Sequence, residues 1–238
     1  MSIDLPRGVI MPVDAVAVRL DPAPHPFELA NAAAIEENWR REAAANPALF
    51  DGTVMLLSEL AYRGRRLVGR CHAVRYATFL YWRGHRQTPG AGHAFAHAML
   101  VAGDNALVAI RMGPHTVNAG QVYFAAGSFE PADFRDGMVD VDFNMVREAR
   151  EETGLDFSGA ERGRRYHVLS TANGTVVFRR YRMAEPADVL ARRISAFVAT
   201  EAEPEIDGPV VIRDARDLPE GLSPHMKPLV EWHFSGAE

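Results

Sequence analysis

The chain has a single cysteine, no long apolar run and no surplus of basic residues, and each absence narrows the class of protein. Cys71 is the only cysteine among the 238 residues, so an intrachain disulfide is impossible and nothing points to an oxidising compartment. No apolar stretch approaches the roughly 18 residues that a membrane-spanning helix needs. The N-terminus has neither the basic start nor the apolar core of a signal peptide. These absences predict a cytoplasmic protein that does not associate with a membrane.

The balance of charge argues against nucleic acid as a partner. The chain has 26 Lys and Arg residues against 31 Asp and Glu residues, a formal net charge of -5, whereas nucleic-acid-binding surfaces need an excess of positive charge. Only one of the basic residues, Lys227, is a lysine, and arginine suits bidentate contact with phosphate. The hydrophobic fraction of 47% and the charged fraction of 24% are ordinary for a globular protein.

Hydrophobic periodicity predicts a mixed α/β fold in two parts. Residues 1–91 are expected to form an N-terminal extension with a strand at 13–20, a helix at 27–45, a hairpin of strands at 53–62 and 65–74, and a short aromatic helix at 76–85. A loop at 86–92 marks the boundary. Residues 92–238 alternate strands with two helices, one acidic and one at about 186–199, which predicts a mixed sheet sandwiched between helices.

The most informative segment, residues 147–155, reads Arg-Glu-Ala-Arg-Glu-Glu-Thr-Gly-Leu and brings three carboxylates together. Glu148, Glu151 and Glu152 have the i, i+3, i+4 spacing that places side chains on one face of a helix. Clustered carboxylates repel each other and favour a counter-ion, and Mg²⁺ prefers oxygen ligands and commonly bridges to a substrate phosphate. A solvated helix face with a buried apolar stripe behind it would carry the same charges. The flanking sequence shifts the balance between these two interpretations toward a metal site.

The flanks predict a strand, a loop and a complete helix. Residues 121–126 read as a strand, and the following loop begins at Gly127. Asp140 or Asp142 can cap the start of the helix, and Gly154 stands where a left-handed C-terminal residue is wanted. Such an arrangement can hold a metal-bound phosphate between backbone groups and carboxylates.

At these residues the chain resembles the Nudix hydrolases, whose signature is a glycine, a glutamate, and then Arg-Glu-apolar-x-Glu-Glu-x-Gly-apolar. The second half of the signature matches at every position from Arg147 to Leu155. The first half differs, because the family spacing puts a glycine at 133 and a glutamate at 139, where this chain has Asp133 and Val139. Gly127, six residues before position 133, is the best candidate for the glycine and implies a lengthened loop.

The resemblance implies a Nudix-like α/β/α sandwich and a role for each matching residue. Glu148, Glu151 and Glu152 would bind Mg²⁺ or Mn²⁺, and Arg147 would orient them through an ion pair. The backbone near Gly127 would add a carbonyl ligand. The reaction would be attack of water on a phosphorus of a nucleoside diphosphate linked to another moiety, which makes the partner a small-molecule nucleotide.

Two roles remain open between alternatives. In the family, the glutamate that is missing here helps to hold the arginine of the motif, and three acidic residues are candidates to replace it: Glu130, Asp140 and Asp142. A further base often comes from a separate loop, and one later acidic cluster precedes a strand: Glu201, Glu203 and Glu205. We choose Glu203 from this cluster, although a solvated linker would also contain such residues. Arg111 and Arg135 are candidates to clamp a substrate phosphate.

The substrate class follows from a weaker resemblance. Residues 46–52, Asn-Pro-Ala-Leu-Phe-Asp-Gly, look like a segment that precedes the domain in UDP-sugar diphosphatases of the family, which also tend to carry a Gly-x-x-Glu-Pro loop such as residues 127–131. This favours a nucleotide sugar, although the same residues would make a turn in any protein. The competing hypothesis is a Nudix-like module that binds a nucleotide with weak or no catalysis. An N-terminal segment with its own hairpin is consistent with a homodimer.

Overall fold

The computed structural model of the chain describes residues 3–47, 49–86 and 88–237. Ala48 and Gln87, which fall in the predicted loops at 46–52 and 86–92, lie outside the described residues. The helices are α1 (Pro26–Ala45), α2 (Tyr76–Gly84), α3 (Val141–Thr153), α4 (Ala187–Val198) and α5 (Met226–Phe234). The strands are β1 (Ile3–Asp4), β2 (Ile10–Val13), β3 (Ala15–Asp21), β4 (Thr53–Arg63), β5 (Arg66–Arg75), β6 (Ala94–Val101), β7 (Leu107–Met112), β8 (Val122–Tyr123), β9 (Ala126–Ser128), β10 (Phe134–Arg135), β11 (Met138–Val139), β12 (Glu161–Arg162), β13 (Tyr166–Thr171), β14 (Gly174–Arg182) and β15 (Ile206–Ile212). These elements confirm the predicted mixed α/β class.

The chain divides into two compact units, and each is discontinuous in sequence. The first comprises residues 1–95, 128–141 and 169–175, and the second comprises 96–127, 142–168 and 176–238. These units do not coincide with a single boundary after residue 91. Residues 128–141 return to the first unit because β11 pairs with β3 there, with Met138 opposite Arg19. A pairing between residues so far apart in sequence leaves no local signal at the boundary.

The first unit is built on a sheet with strand order β1-β4-β5-β3-β11-β10. Strands β4 and β5 form the predicted hairpin, which is antiparallel with Arg63 opposite Arg66. Gly64 and Arg65 make the turn with φ values of 52° and 61°, the pair of positive angles that suits the right-handed twist of a two-residue hairpin. Strand β3 lies parallel to β5, so the sheet is mixed.

An aromatic core packs against this sheet. Helix α1 begins at Pro26, one residue before the predicted start, and the Nδ1 atom of His25 accepts a hydrogen bond of 3.0 Å from the Phe27 N–H there. Phe27 belongs to a cluster of buried residues: Phe27, Leu56, Val74, Trp82 and Ala91. Trp82 comes from α2, the short aromatic helix that the sequence predicted, so the aromatic residues of that helix serve packing.

The second unit contains the strand order β15-β7-β6-β14-β13. Strand β15 is antiparallel to β7, from Ile206 opposite Met112 to Ile212 opposite Leu107. Helix α4 packs along β15 and buries its apolar face, as the 3.6-residue period of the sequence predicted. Helix α5 was not predicted, since Pro228 suggests a break, but a proline is tolerated in a first helical turn, where backbone N–H groups lack helical partners.

The predicted strand at 121–126 is wrong as one continuous element. It is divided into β8 and β9, and Phe124 and Ala125 lie between them. The backbone carbonyl of Phe124 accepts a hydrogen bond of 3.0 Å from Nδ1 of His97 on β6, so a side chain takes the place of a ladder bond. Within the described residues, no helix has the length and apolar character needed to cross a membrane.

Candidate active site

Helix α3 has the ends that the sequence predicted. Val141 is its first residue and Thr153 its last, and Gly154 follows with a φ of 67°. The Gly154 N–H donates to the carbonyl of Arg150 at 2.9 Å, and a Cβ at Gly154 would collide with the ring of Phe197. The position therefore requires glycine for its backbone angle and for its close packing.

The carboxylate of Glu152 is buried and tied to the strand region before the loop. Its Oε2 atom accepts a hydrogen bond of 2.9 Å from the backbone N–H of Ala126. Burial raises the pKa of Glu152 well above its usual range, and the charges of Glu148, Glu205 and Glu151 raise the pKa further. The hydrogen bond from Ala126 acts in the opposite direction and is outweighed. A cation at this position would favour the ionised carboxylate.

The carboxylate of Glu148 lies directly against Gly127. A Cβ built on Gly127 would overlap the Oε1 and Cδ atoms of Glu148, so a side chain of any size would displace this carboxylate. The structure places Gly127 in β9, so the loop that the sequence predicted to begin at Gly127 starts after Ser128. The lack of a side chain at Gly127 allows the backbone of β9 to approach the acidic helix. Strand and helix thus meet at two adjacent residues, Ala126 and Gly127.

Arg147 pairs with the other oxygens of the cluster. Its Nη2 atom lies 2.8 Å from Oε1 of Glu148, and its Nη1 atom donates to Oε2 of Glu151 at 2.9 Å. The side chains of Arg147 and Glu148 are both 16% exposed, whereas that of Glu151 is 58% exposed. One guanidinium therefore contacts two carboxylates, and its single positive charge offsets one of their two negative charges. Glu152 is the buried member of the three.

The oxygen atoms at this site are of the types that bind a hard divalent cation, but the positions of Glu148, Glu151 and Glu152 do not bring all three carboxylates to one cation. Carboxylate oxygens and a backbone carbonyl are the ligand types that Mg²⁺ and Mn²⁺ prefer. Among the described residues, however, no three His, Cys, Asp or Glu side chains are grouped so that they could hold a metal ion together. Glu148 and Glu151 would have to turn away from Arg147 to reach one cation with Glu152.

The later acidic cluster contributes Glu205 to the surroundings of this site. The charge of Glu205 raises the pKa of Glu152 and also that of Tyr123, whose pKa is raised chiefly by burial. The backbone carbonyl of Glu205 accepts from the Gly113 N–H at 2.8 Å, which fixes the start of β15. Glu203, the residue chosen from the sequence, and Glu205 are both exposed. The signal for Glu205 was its place immediately before the first residue of a strand.

Tyr123 was not singled out from the sequence. Its side chain is largely buried, and its hydroxyl accepts a hydrogen bond of 3.2 Å from Nδ2 of Asn118. Glu152, Glu205 and Glu148 all raise its pKa, so it stands within electrostatic reach of three carboxylates. A lone tyrosine in an apolar strand carries no sequence signal for such a position.

Asp142 does not have the capping role that the sequence allowed. It lies inside the first turn of α3, and its two oxygens accept from Nη1 of Arg179 at 3.0 and 2.7 Å. Oδ1 also accepts from the hydroxyl of Tyr181 at 2.7 Å. These bonds hold Asp142 within the second unit, and the support of Arg147 by an acidic residue stays a prediction.

The two residues at the expected motif positions are both buried. Asp133 is fully buried in a 3₁₀ turn (Pro131–Asp133), where its Oδ2 atom accepts from the Glu130 N–H at 3.0 Å. Val139 is a buried residue of β11. The loop after Gly127 therefore contains its own secondary structure, which accounts for its added length.

The candidate phosphate clamps are engaged with backbone carbonyls. Nη1 of Arg111 donates to the carbonyls of Gly120 at 3.1 Å and Glu220 at 3.2 Å. Arg135 belongs to the first unit, where its Nη1 atom donates to the carbonyls of Ala132 at 2.7 Å and Phe134 at 3.1 Å. A guanidinium has five N–H donors, and a role for either arginine in phosphate binding stays a prediction.

Comparisons with known proteins return structures but no sequence family. No family model and no curated protein matches the chain. The solved structures similar to it include a MutT protein from Methanosarcina mazei Go1, with 14% identity, a TM-score of 0.39, and coverage of 60% of this chain and 94% of that one. A mutT/nudix family protein from Listeria innocua has 13% identity and a TM-score of 0.41, covering 60% of this chain and 92% of that one. A Nudix hydrolase from Nitrosomonas europaea has 15% identity and a TM-score of 0.36, covering 60% and 86%.

Two of these three structures bear the name Nudix. Their TM-scores and identities are low, so the functional proposal rests on the side chains of this chain.

Proposed function

We propose that the chain is a Nudix-type hydrolase that requires Mg²⁺ or Mn²⁺ and cleaves the diphosphate linkage of a nucleoside diphosphate joined to another moiety. The observation that carries the proposal is the contact between strand β9 and the acidic helix. The Glu148 carboxylate lies against Gly127, and the Glu152 carboxylate accepts the Ala126 N–H. An ordinary solvated helix face would leave these carboxylates pointing to water.

In this proposal Glu148, Glu151 and Glu152 hold the cation, and the backbone at Gly127 supplies a carbonyl ligand. The cation neutralises the diphosphate and lowers the pKa of bound water. Arg147, which pairs with Glu148 and Glu151, keeps these carboxylates on one side of the helix. The buried carboxylate of Glu152 supplies the least screened charge.

The remaining proton transfer needs a base. The oxygen of water forms a bond to phosphorus, the bond from that phosphorus to the leaving phosphate oxygen breaks, and the proton of the water passes to a carboxylate. We place Glu205 ahead of Glu203 in this role, because the charge of Glu205 acts on both Glu152 and Tyr123. A Glu205→Gln variant that keeps full activity, beside an inactive Glu203→Gln variant, would reverse this order.

The proposed substrate class is a nucleotide sugar, as the resemblance of residues 46–52 and 127–131 implies, with Arg111 and Arg135 as candidate contacts to phosphate. A screen for metal-dependent hydrolysis should contain nucleotide sugars, ADP-ribose, dinucleoside polyphosphates, coenzyme A and dinucleotides. The proposal also includes a cytoplasmic location and a homodimer. Light scattering on the purified chain tests whether it forms a homodimer.

The test of the metal site uses the same screen. Glu151→Gln and Glu152→Gln should each remove hydrolysis while the circular dichroism spectrum stays unchanged, and excess chelator should abolish the activity of the unmodified chain. Glu161→Gln, at an exposed glutamate of the second unit, is the matched control and should keep full activity. Full hydrolysis by either motif variant, or in excess chelator, would remove the metal assignment.

A specific observation favours a second candidate function, a module that binds a nucleotide without cleaving it. Arg147 holds two of the three glutamates, and the described residues contain no ready group of three metal ligands. Under this alternative, a nucleotide would raise the melting temperature of the chain and would be recovered intact after prolonged incubation with Mg²⁺ or Mn²⁺. Release of any nucleotide product would favour the hydrolase.

A further inference from the structure

The first unit contains a cleft of about 230 Å³ that the proposed hydrolase chemistry does not use. Its walls come from three segments of that unit: the N-terminal residues, the region from α2 to the start of β6, and residues 170–175. The Gly8 N–H donates to the Ser170 carbonyl at 2.9 Å, so two of these segments are joined by a backbone bond. The cleft is therefore part of one folded unit.

The charged side chains that line the cleft are all of one sign. Arg7 and Arg86 line it, and none of the described lining residues is an aspartate or a glutamate. His93 also lines it, and burial, helped by the charges of Arg83 and Arg86, lowers the pKa of His93 to about 3, so that its ring is neutral at neutral pH. The formal charge of the lining is thus positive, in a chain whose net charge is -5.

Arg86 is held in place at the cleft. Its Nη1 atom donates to Oδ1 of Asn173 at 2.7 Å, which fixes the guanidinium against the segment at 170–175. Asn173 is neutral, so this bond orients the arginine without cancelling its charge. Burial and the neighbouring charge of Arg83 lower the pKa of Arg86, but an arginine stays protonated at neutral pH.

Two buried donors of the same wall lack acceptors among the described residues. Trp82 is 3% exposed, and its indole Nε1 has no hydrogen-bond partner there. The Nε atom of Arg86 is likewise buried without a partner in the described part of the chain. An unsatisfied buried N–H destabilises the folded state, so an acceptor brought to this wall would recover part of that free energy. Indole and guanidinium groups can only donate.

We propose that this cleft is a binding site for a small oxyanion, either a phosphate group or a carboxylate group of a metabolite. Arg7 and Arg86 provide the charge and the charge-assisted hydrogen bonds, and the wall at Trp82 provides a further donor. Its volume suits a compact anion better than a whole dinucleotide, because drug-sized ligand pockets begin at roughly 300 Å³. Every residue that lines the cleft belongs to the first unit, whereas Glu148, Glu151 and Glu152 belong to the second.

The probes are sodium phosphate and sodium malonate, titrated by calorimetry and by thermal shift in excess chelator, with sodium chloride at equal ionic strength as the reference. We expect saturable binding of one of the two anions, which also identifies phosphate or carboxylate as the preferred group. Arg86→Gln and Arg7→Gln should each weaken it by at least about tenfold, as loss of a charge-assisted hydrogen bond predicts. Arg7 is exposed, so its variant tests the site without risk to the fold.

Two control variants test whether anion binding depends on the residues of this cleft. Arg83→Gln removes a nearby arginine that does not line the cleft and should leave binding unchanged. Glu152→Gln, which should end hydrolysis, should also leave anion binding unchanged, so the two proposals can fail separately. No saturable response to either anion beyond that of chloride, or unchanged binding by both Arg7→Gln and Arg86→Gln, would overturn the proposed site.

Discussion

The carboxylate of Glu148 rests against the Cα of Gly127, so closely that a methyl group on Gly127 would occupy the same space. This contact joins β9 to the acidic helix, and the carboxylate is the flexible end of a side chain. A displaced Glu148 can find another rotamer, whereas a displaced backbone would disturb the pairing of β9 with β6. Loss of this contact should therefore reduce activity more than it reduces the free energy of unfolding.

Gly127→Ala should lower metal-dependent hydrolysis by at least about tenfold while changing the free energy of unfolding by no more than about 1 kcal/mol, the usual range for a change that a flexible side chain can absorb. Steady-state rates and urea unfolding measure the two effects. Gly159→Ala is the matched control, because a Cβ there meets no atom within 4 Å. Equal activity of the two variants would show that the contact does not matter for function.

Glu152→Gln should stabilise the metal-free chain at neutral pH. The folded-state pKa of Glu152 is raised above its ordinary value of 4.5, so the unfolded chain ionises first as pH rises and the folded state loses stability above that pH. An amide keeps an acceptor for the Ala126 N–H and has no charge to bury. Melting temperatures in chelator at pH 5 and pH 8 should show a gain that is larger at pH 8.

Glu151→Gln provides the comparison for that experiment, since the side chain of Glu151 is 58% exposed. It should change the melting temperature little at either pH. A Glu152→Gln variant that is less stable than the unmodified chain at pH 8 would mean that the buried carboxylate is stabilised by its neighbours after all.

The pair His97 and His225 should make the fold sensitive to acid. Their Nε2 atoms are 2.9 Å apart, and Nδ1 of His97 donates to the Phe124 carbonyl, so Nε2 of His97 accepts and that of His225 donates. Burial lowers the pKa of His225 from 6.5 to about 4 and holds that of His97 well below 6.5. The unfolded chain therefore takes up protons first, and stability is lost as pH falls from 6.5 toward 4.

Urea unfolding at pH 7.5 and pH 5 measures this loss. His225→Gln keeps a donor for His97 and removes one titrating group. The free energy of unfolding of this variant should therefore fall less between pH 7.5 and pH 5 than that of the unmodified chain. His85→Gln, at an exposed position, should show the full loss. If the free energy of unfolding of all three proteins depended on pH in the same way, the histidine pair would be excluded as the cause of the lost stability in acid.

Asp142→Asn should destabilise the second unit by about 2–3 kcal/mol, because removing one partner of a partly buried ion pair leaves Arg179 without its countercharge. Tyr181→Phe removes only the hydroxyl that donates to the same carboxylate and should cost about 1 kcal/mol. Chemical unfolding of both variants tests this order. Activity per folded molecule should fall far less than in Glu152→Gln.

Much of the fold was predictable from sequence because its signals are local. The hairpin of β4 and β5, helix α1 from Pro26, and helix α3 ending before Gly154 all follow from residue periodicity and from the conformations that proline and glycine favour. The break between β8 and β9 was not predictable, since it depends on the side chain of His97, which is 27 residues away from Phe124. Helix α5 was missed because Pro228 sits within its first turn.

The sequence by itself determined the acidic face of α3 and the expectation of a divalent cation, because residues three and four apart on a helix share a face wherever that helix is placed. Only the tertiary structure decided how each carboxylate differs: Glu152 is buried on the Ala126 N–H, Glu148 lies on Gly127, and Glu151 is exposed beside Arg147. The physical reason is that burial, and with it the pKa of a carboxylate, depends on what a distant part of the chain places against it. The positive cleft of the first unit has the same origin, since Arg7 and Arg86 share one cleft only after folding.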